Sequence, residues 1–375
     1  EWVRAGITVP VPVRYVECQQ RMNLVMGYGT RLGHILIGID NWQQSADFFF
    51  NVLRALDHEF SNEDYDDLFV TALIKEPPNV PLGKHVVKLH ILAAIVTATQ
   101  THWVSRKDIV SVSFYIIRII IQSVSDEESI QYARELLNDR GFFDCAFKAL
   151  ERFGEDRDVA EQIGALIPEA VLPGSDAETL VGDNGNFALL ASMLNRHPNN
   201  EHIAHCVLSG LVTLTRSSSA NISRARECGV IDTAWQLLCD DKFDCDVQDV
   251  CSHFLFNTLR TTLENRFQYS DKAHLSELQG VLKAHHDHAR CSPLIQRLLK
   301  VQIMLARDQD LDLGCEMVVK CSLLITSTMC NFLGDGNVTL FGCKLLTTLG
   351  IYFQDSHPKE LETVCSRVLD VWEAQ

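Results

Sequence analysis

The sequence predicts an all-α chain folded as a right-handed α-solenoid of about six to seven stacked helical repeats. Three observations lead there: an apolar pattern that recurs every 44 residues, spacings of 4 and 7 inside each copy, and a glycine that recurs at the same step. Phe143, Leu150, Val159, Ile163 and Ile167 return as Phe187, Leu194, Ile203, Val207 and Leu211. They return again as Ile231, Leu238, Val247, Cys251 and Leu255, and once more as Leu275, Leu282, Cys291, Ile295 and Leu299. Spacings of 4 and 7 place residues on one helical face, and a fixed period of this size marks units that bury that face only against their neighbours.

In chain order, residues 1–40 form an irregular lead-in, with Val9-Pro10-Val11-Pro12-Val13 followed by Gly27, Gly29, Gly33 and Gly38. Residues 41–125 hold divergent N-terminal repeats. Two amphipathic helices are expected between Ser45 and Lys75, stopped by Glu76-Pro77-Pro78, and two more span Leu82 to Trp103 and Lys107 to Val124. Allowing about three inserted residues per repeat extends the register upstream. One upstream copy is Val96, Trp103, Val112, Ile116 and Ile120; another is Phe49, Leu56, Tyr65, Phe69 and Leu73.

Residues 126–305 are the regular repeats, each a short helix, a break and two longer helices. The break falls at Gly141, Gly185 and Gly229, where positive φ carries no steric cost for glycine. The joint between the longer helices is polar in each copy: Gly154-Glu155-Asp156, His197-Pro198-Asn199-Asn200 and Asp240-Asp241-Lys242-Phe243-Asp244. Its Asx residue is placed to cap the helix that follows. Residues 306–375 are divergent capping repeats, with Ser322, Met329, Val338, Gly342 and Leu346 as a weakened copy.

A chain of 375 residues exceeds the length at which a single compact core stops growing, and a solenoid escapes that limit. The 46% hydrophobic content supplies a core, and 10 prolines argue against a long disordered tail. Several of the 13 cysteines occupy core positions, Cys251 and Cys291 among them, where the thiol acts as a small hydrophobe. Reduced thiols and a cytoplasmic location are therefore expected, with cytoskeletal, ciliary or nuclear association as alternatives and the sequons at Asn221 and Asn337 unused. The chain begins at Glu1, so import into an organelle behind a preceding targeting segment stays an open alternative. A net charge of −16 disfavours binding to the nucleic-acid backbone. The longest apolar run, Ile109 to Ile121, is too short to span a bilayer and contains Arg118.

Catalytic and metal patterns fail on their own chemistry, so no enzyme activity and no cofactor are expected. Asp308-Gln309-Asp310-Leu311-Asp312-Leu313 starts like a calcium loop but has Leu313 at the sixth position and Val319 at the twelfth. Gly27-Tyr28-Gly29-Thr30-Arg31-Leu32-Gly33 has one residue too many for a dinucleotide fingerprint. His285, His286, Asp287, His288 and Cys291 are the best metal candidates. Cys291 is already claimed by the core register, and the histidines fall at the polar joint, so no metal is assigned.

The stretch Ala225-Arg226-Glu227-Cys228-Gly229-Val230-Ile231, then Leu237-Leu238, Asp246-Val247-Gln248 and Phe254-Leu255-Phe256-Asn257-Thr258-Leu259, resembles one armadillo repeat. HEAT repeats share the architecture, but the short first helix and the glycine break favour armadillo. The resemblance implies a concave groove lined by the third helix of each repeat, on which extended partner segments lie. Importin-α-like members carry Trp and Asn on that ladder; here the matching positions are His253 and Asn257, and the Trp ladder is absent.

Equivalent positions hold Lys75, Arg118, Gln122, Arg297 and Lys344, with Arg216 and Arg260 further along the same helices, against the single acid Glu169. A basic lane on an acidic body suits an acidic or extended partner segment, as the likeness to catenin-type members also implies. The expected role is a non-enzymatic scaffold or a structural subunit of a multi-protein complex. The alternative is a regulator of an enzyme, such as a small-GTPase exchange factor or a chaperone cofactor, working through the same surface.

Overall fold

A computed structural model describes the chain between residues 92 and 369 with interruptions; its continuous stretches are 106–122, 127–139, 141–171, 185–261, 263–307 and 315–356. The lead-in, the Phe49 copy, the dinucleotide-like glycines and Lys75 lie outside the described residues. Every regular element among the described residues is helical, and the chain is an all-α stack of helical repeats. It divides into two compact units between Ala170 and Val171.

In the first unit the helices are α1 (Lys107–Gln122), α2 (Glu127–Asp139), α3 (Phe142–Phe153) and α4 (Arg157–Ala170), with α1 packed along α4. The second unit contains α5 (Asn186–Arg196), α6 (Glu201–Thr215), α7 (Ser219–Glu227), α8 (Val230–Cys239), α9 (Cys245–Thr261) and α10 (Leu263–Tyr269). It continues with α11 (Lys272–His285), α12 (Ser292–Arg307), α13 (Cys315–Asn331) and α14 (Gly336–Ser356). Here the third helices form a row, α6 on α9, α9 on α12 and α12 on α14.

The local grammar expected from sequence is present. Gly141, Gly185 and Gly229 have φ of 63°, 80° and 69°. A Cβ at any of the three would meet nothing within 4 Å, so it is the left-handed backbone rather than crowding that selects glycine. The third helices start from side-chain caps. Asp156 Oδ1 accepts from the Asp158 and Val159 amides, Asn200 Oδ1 from Ile203 N at 3.1 Å, and Asp244 Oδ1 from the Asp246 and Val247 amides at 3.1 and 3.0 Å. Asp335 caps α14 in the same way, through the Asn337 and Val338 amides at 2.9 and 3.2 Å. It stands three residues beyond two further steps of the period, the size of insertion the register requires. The intervening copy has His288, which makes no side-chain cap; a 3-10 turn, Ala289–Cys291, leads into α12 instead.

All twenty register positions of the four regular copies are buried, and each large aliphatic or aromatic side chain so placed contributes about 1.5–3 kcal/mol. The copy weakens downstream for a physical reason. Gly342 replaces a larger apolar residue because α13 crosses too closely: a Cβ there would come 2.5 Å from Met329 Cγ. Upstream, Val96, Ile116 and Ile120 are buried while Trp103 and Val112 are half-buried.

A second periodic device was not anticipated from sequence. Asn221 and Asn265, one period apart and both buried, donate from Nδ2 to the Leu214 and Thr258 carbonyls at 2.8 and 3.1 Å, tying the end of one third helix to the short helix that follows. Asn221 also donates to the Glu178 carbonyl at 3.1 Å, and the buried Glu178 carboxylate accepts from the Ser217 hydroxyl at 2.8 Å and the Ser218 amide at 3.1 Å. Such bonds satisfy chain ends that would otherwise be buried bare.

Leu238, on α8, is fully buried where that helix packs on α9 and α11. Leu238→Asp places an unpaired carboxylate in that layer, at an expected cost of roughly 3–5 kcal/mol. A circular-dichroism melt should shift down by many degrees; a melt equal to wild type would contradict the register.

Candidate partner-binding face

In the first unit, Arg118 on α1 is half-buried with its guanidinium carbon 5.7 Å from the Tyr115 ring centroid. Its Nε is buried without a hydrogen-bond partner among the described residues. Gln122, one turn on, donates from Nε2 to Glu169 Oε1 at 2.9 Å, so the one acid on the ladder is engaged by its neighbour.

The second unit brings most of the remaining predicted residues together across α6, α9, α12 and α14. Arg260, near the end of α9, donates from Nη2 to the carbonyl of Arg216, which ends α6, at 3.1 Å, and its guanidinium carbon lies 5.7 Å from the Phe256 centroid. Arg297 on α12 is ion-paired through Nη1 with Asp249 on α9. Lys344 on α14 lies 5.4 Å from the Phe341 centroid. Asn257 does not belong to the face: it is 3% exposed and donates from Nδ2 to the Val212 carbonyl at 3.2 Å, which makes it a link between adjacent third helices rather than a surface donor.

Three residues of this face escaped sequence reasoning. Lys300 lies one turn beyond Arg297, with its ammonium 4.4 Å from the Phe341 centroid and 5.7 Å from the Phe256 centroid. Phe256 and Phe341 thus lie beneath a row of cations, Arg260, Lys300 and Lys344. The signal was available: Phe256 is three residues from His253, Lys300 three from Arg297 and Phe341 three from Lys344, a spacing that shares a helical face. None of Arg260, Lys300 and Lys344 has a carboxylate partner among the described residues.

The electrostatic mark of the cluster is on His253. Burial first, then the positive charges of Arg297, Arg216, Lys300 and Arg260, hold its imidazole down at about 4. Lys300 is likewise lowered, by burial and then by Arg297. A cation resting on an aromatic ring keeps N–H donors free, so the face offers hydrogen-bond donors and flat apolar surface side by side.

His253 gives a direct check. Its C–H resonances should titrate near pH 4 rather than near 6.5 in an NMR pH series. Because the unfolded chain binds this proton at higher pH than the native one, the group's contribution is complete above pH 6.5 and is lost as pH falls toward 4. A midpoint near 6.5 would show that the cations do not converge on this ring.

No protein-family model matches the chain, and no curated protein matches it. Solved structures do resemble it. Two engineered proteins superpose with TM-scores of 0.52, at 12% identity over 70% of this chain and 97% of the other, and at 16% identity over 69% and 98%. A third engineered protein superposes at TM-score 0.50 and 13% identity, over 94% of this chain and 88% of its own. A chain from a study of the phosphorylation switch between cadherin and beta-catenin reaches a TM-score of 0.46 at 13% identity, too low to bear on function. The likenesses to the engineered proteins speak to the fold alone.

Proposed function

We propose that the chain is a non-enzymatic interaction scaffold of the armadillo type, acting in the cytoplasm as a subunit of a larger protein assembly. Its second unit takes an acidic, extended partner segment along the third-helix face. The observation that carries the reading is the lane of Arg260, Lys300 and Lys344 over Phe256 and Phe341, set on a chain of net charge −16.

Like charges gathered on adjacent helices repel one another, and after burial they are what lowers the basicity of His253. A partner carboxylate relieves that repulsion, and the rings accept the apolar stems of an extended segment. Arg297 belongs to the rim of this lane, since Asp249 already holds it. Repeat surfaces of this kind recognise partners without a catalytic group.

A fluorescein-labelled oligoglutamate peptide, followed by anisotropy, tests the lane. The double variant Arg260→Glu, Lys300→Glu should raise the dissociation constant about tenfold or more while the melting transition stays close to wild type, because both side chains reach solvent. Wild-type affinity should fall as salt rises, with charges screened beyond about 8 Å at physiological ionic strength. Equal affinity of wild type and double variant would remove this face from the function.

A further inference from the structure

The cations of the lane stand at a regular spacing, and that spacing selects a conformation for the segment that docks on them. Arg260, Lys300 and Lys344 lie on α9, α12 and α14, one on each of three third helices packed side by side. Each ring is shared by two of them. Phe256 has the Arg260 guanidinium carbon and the Lys300 ammonium both 5.7 Å from its centroid, and Phe341 has the Lys300 and Lys344 ammonium groups at 4.4 and 5.4 Å. Packed helices stand roughly 8–10 Å apart, so a segment crossing the row meets a new cation in about that distance. A β-strand brings a side chain back to the same face every second residue, after only about 6.6 Å, and its third residue points the other way. A polyproline II helix has about three residues per turn and rises about 3.1 Å per residue, so every third side chain returns to one edge after about 9 Å. Of these two extended conformations, the second keeps step with the helices.

The hydrogen-bonding character of the face agrees. Arg260, Lys300 and Lys344 donate and cannot accept, and the Asp249 carboxylate beside them is held by Arg297. A β-strand arrives with backbone N–H groups that need acceptors, whereas prolines bring none and leave their carbonyls open to donors. Arg260 already donates to one backbone carbonyl, that of Arg216, at 3.1 Å. Phe256 and Phe341 are half-buried, which leaves ring surface for apolar groups set between the acids.

Resting on the assignment of this face as the docking face, we propose that the bound segment is an acidic polyproline II helix, with a carboxylate at every third position and prolines between, laid across α9, α12 and α14. Three successive carboxylates meet Arg260, Lys300 and Lys344 in turn, and the prolines between them lie against Phe256 and Phe341. Such a segment holds its backbone conformation before it binds, so less conformational entropy is lost on docking than for a flexible acidic chain.

Three fluorescein-labelled, end-capped peptides of equal length and charge, titrated with the full chain and followed by anisotropy, test the spacing. The first repeats Glu-Pro-Pro three times, the second has the same composition with its glutamates at alternate positions, and the third has glycine in place of every proline. On the wild-type chain the first should bind about tenfold or more tighter than either of the others, and the double variant Arg260→Glu, Lys300→Glu should abolish that advantage. Equal affinity of the first two, with both weakened in the double variant, would overturn the three-residue spacing and leave the docking face standing. Equal affinity of the first and third would overturn the polyproline conformation. Oligoglutamate has a carboxylate at every position and meets any spacing, so its binding without that of the Glu-Pro-Pro peptide would overturn this inference alone. If neither oligoglutamate nor any of the three responds to the double variant, the docking face and this inference fall together. The peptides are compared on the wild-type chain, so a variant that fails to fold does not touch that comparison.

Discussion

The described repeats rest on one recurring coupling: a polar side-chain cap at the start of four third helices, and an apolar residue three positions later that is buried in the stack. Asp156 with Val159, Asn200 with Ile203, Asp244 with Val247 and Asp335 with Val338 are four instances of the same arrangement. The cap satisfies amides that would otherwise be stranded, and the apolar residue is buried by an adjacent helix rather than by its own. Neither half suffices alone. A third helix without its neighbour exposes a whole apolar stripe, and a buried stripe with an unsatisfied start loses part of its gain.

That coupling explains what was legible in the sequence. Burial against a neighbour repeats at the helical period and turn chemistry demands particular residue types, so the 44-residue step, the left-handed glycines and the Asx caps could all be read from residues alone. The face was legible only in part. Asn257 shares the ladder position with surface residues of other repeats, yet its amide turns inward to Val212, since a small rotation of a helix about its axis carries a boundary residue from surface to core. Lys300, Phe256 and Phe341 lay one turn from the ladder positions, and their meeting is a property of three helices packed side by side. His285 and Cys291 stood out as chemistry-bearing residues from the start. They meet directly, Cys291 Sγ 3.6 Å from His285 Nδ1, and the ring is held on its other side by Gln248, a residue with no signature of its own, whose orientation depends on a carbonyl ten residues back.

The charge distribution is the other lesson. A chain of net −16 would be expected to pair its scarce cations with its plentiful acids, as Lys107 does with Asp156 and Lys148 with Asp144. On the α9, α12 and α14 face Arg260, Lys300 and Lys344 rest on rings instead. An ammonium held by a carboxylate is electrostatically silent toward a third body, whereas one held by a ring quadrupole still projects its charge. After burial, that field is what holds the basicity of His253 down.

The three residues by which the Asp335 cap departs from the regular step have a consequence for how such a chain changes over generations. The extra length is absorbed between helices, and Val338 still arrives buried against the row. What must be conserved is a distance across the stack rather than a count along the chain. Loops can lengthen, and whole repeats can be duplicated or deleted, as long as each new third helix meets a neighbour with a matching stripe. Such a protein can drift far in sequence while its architecture stays recognisable.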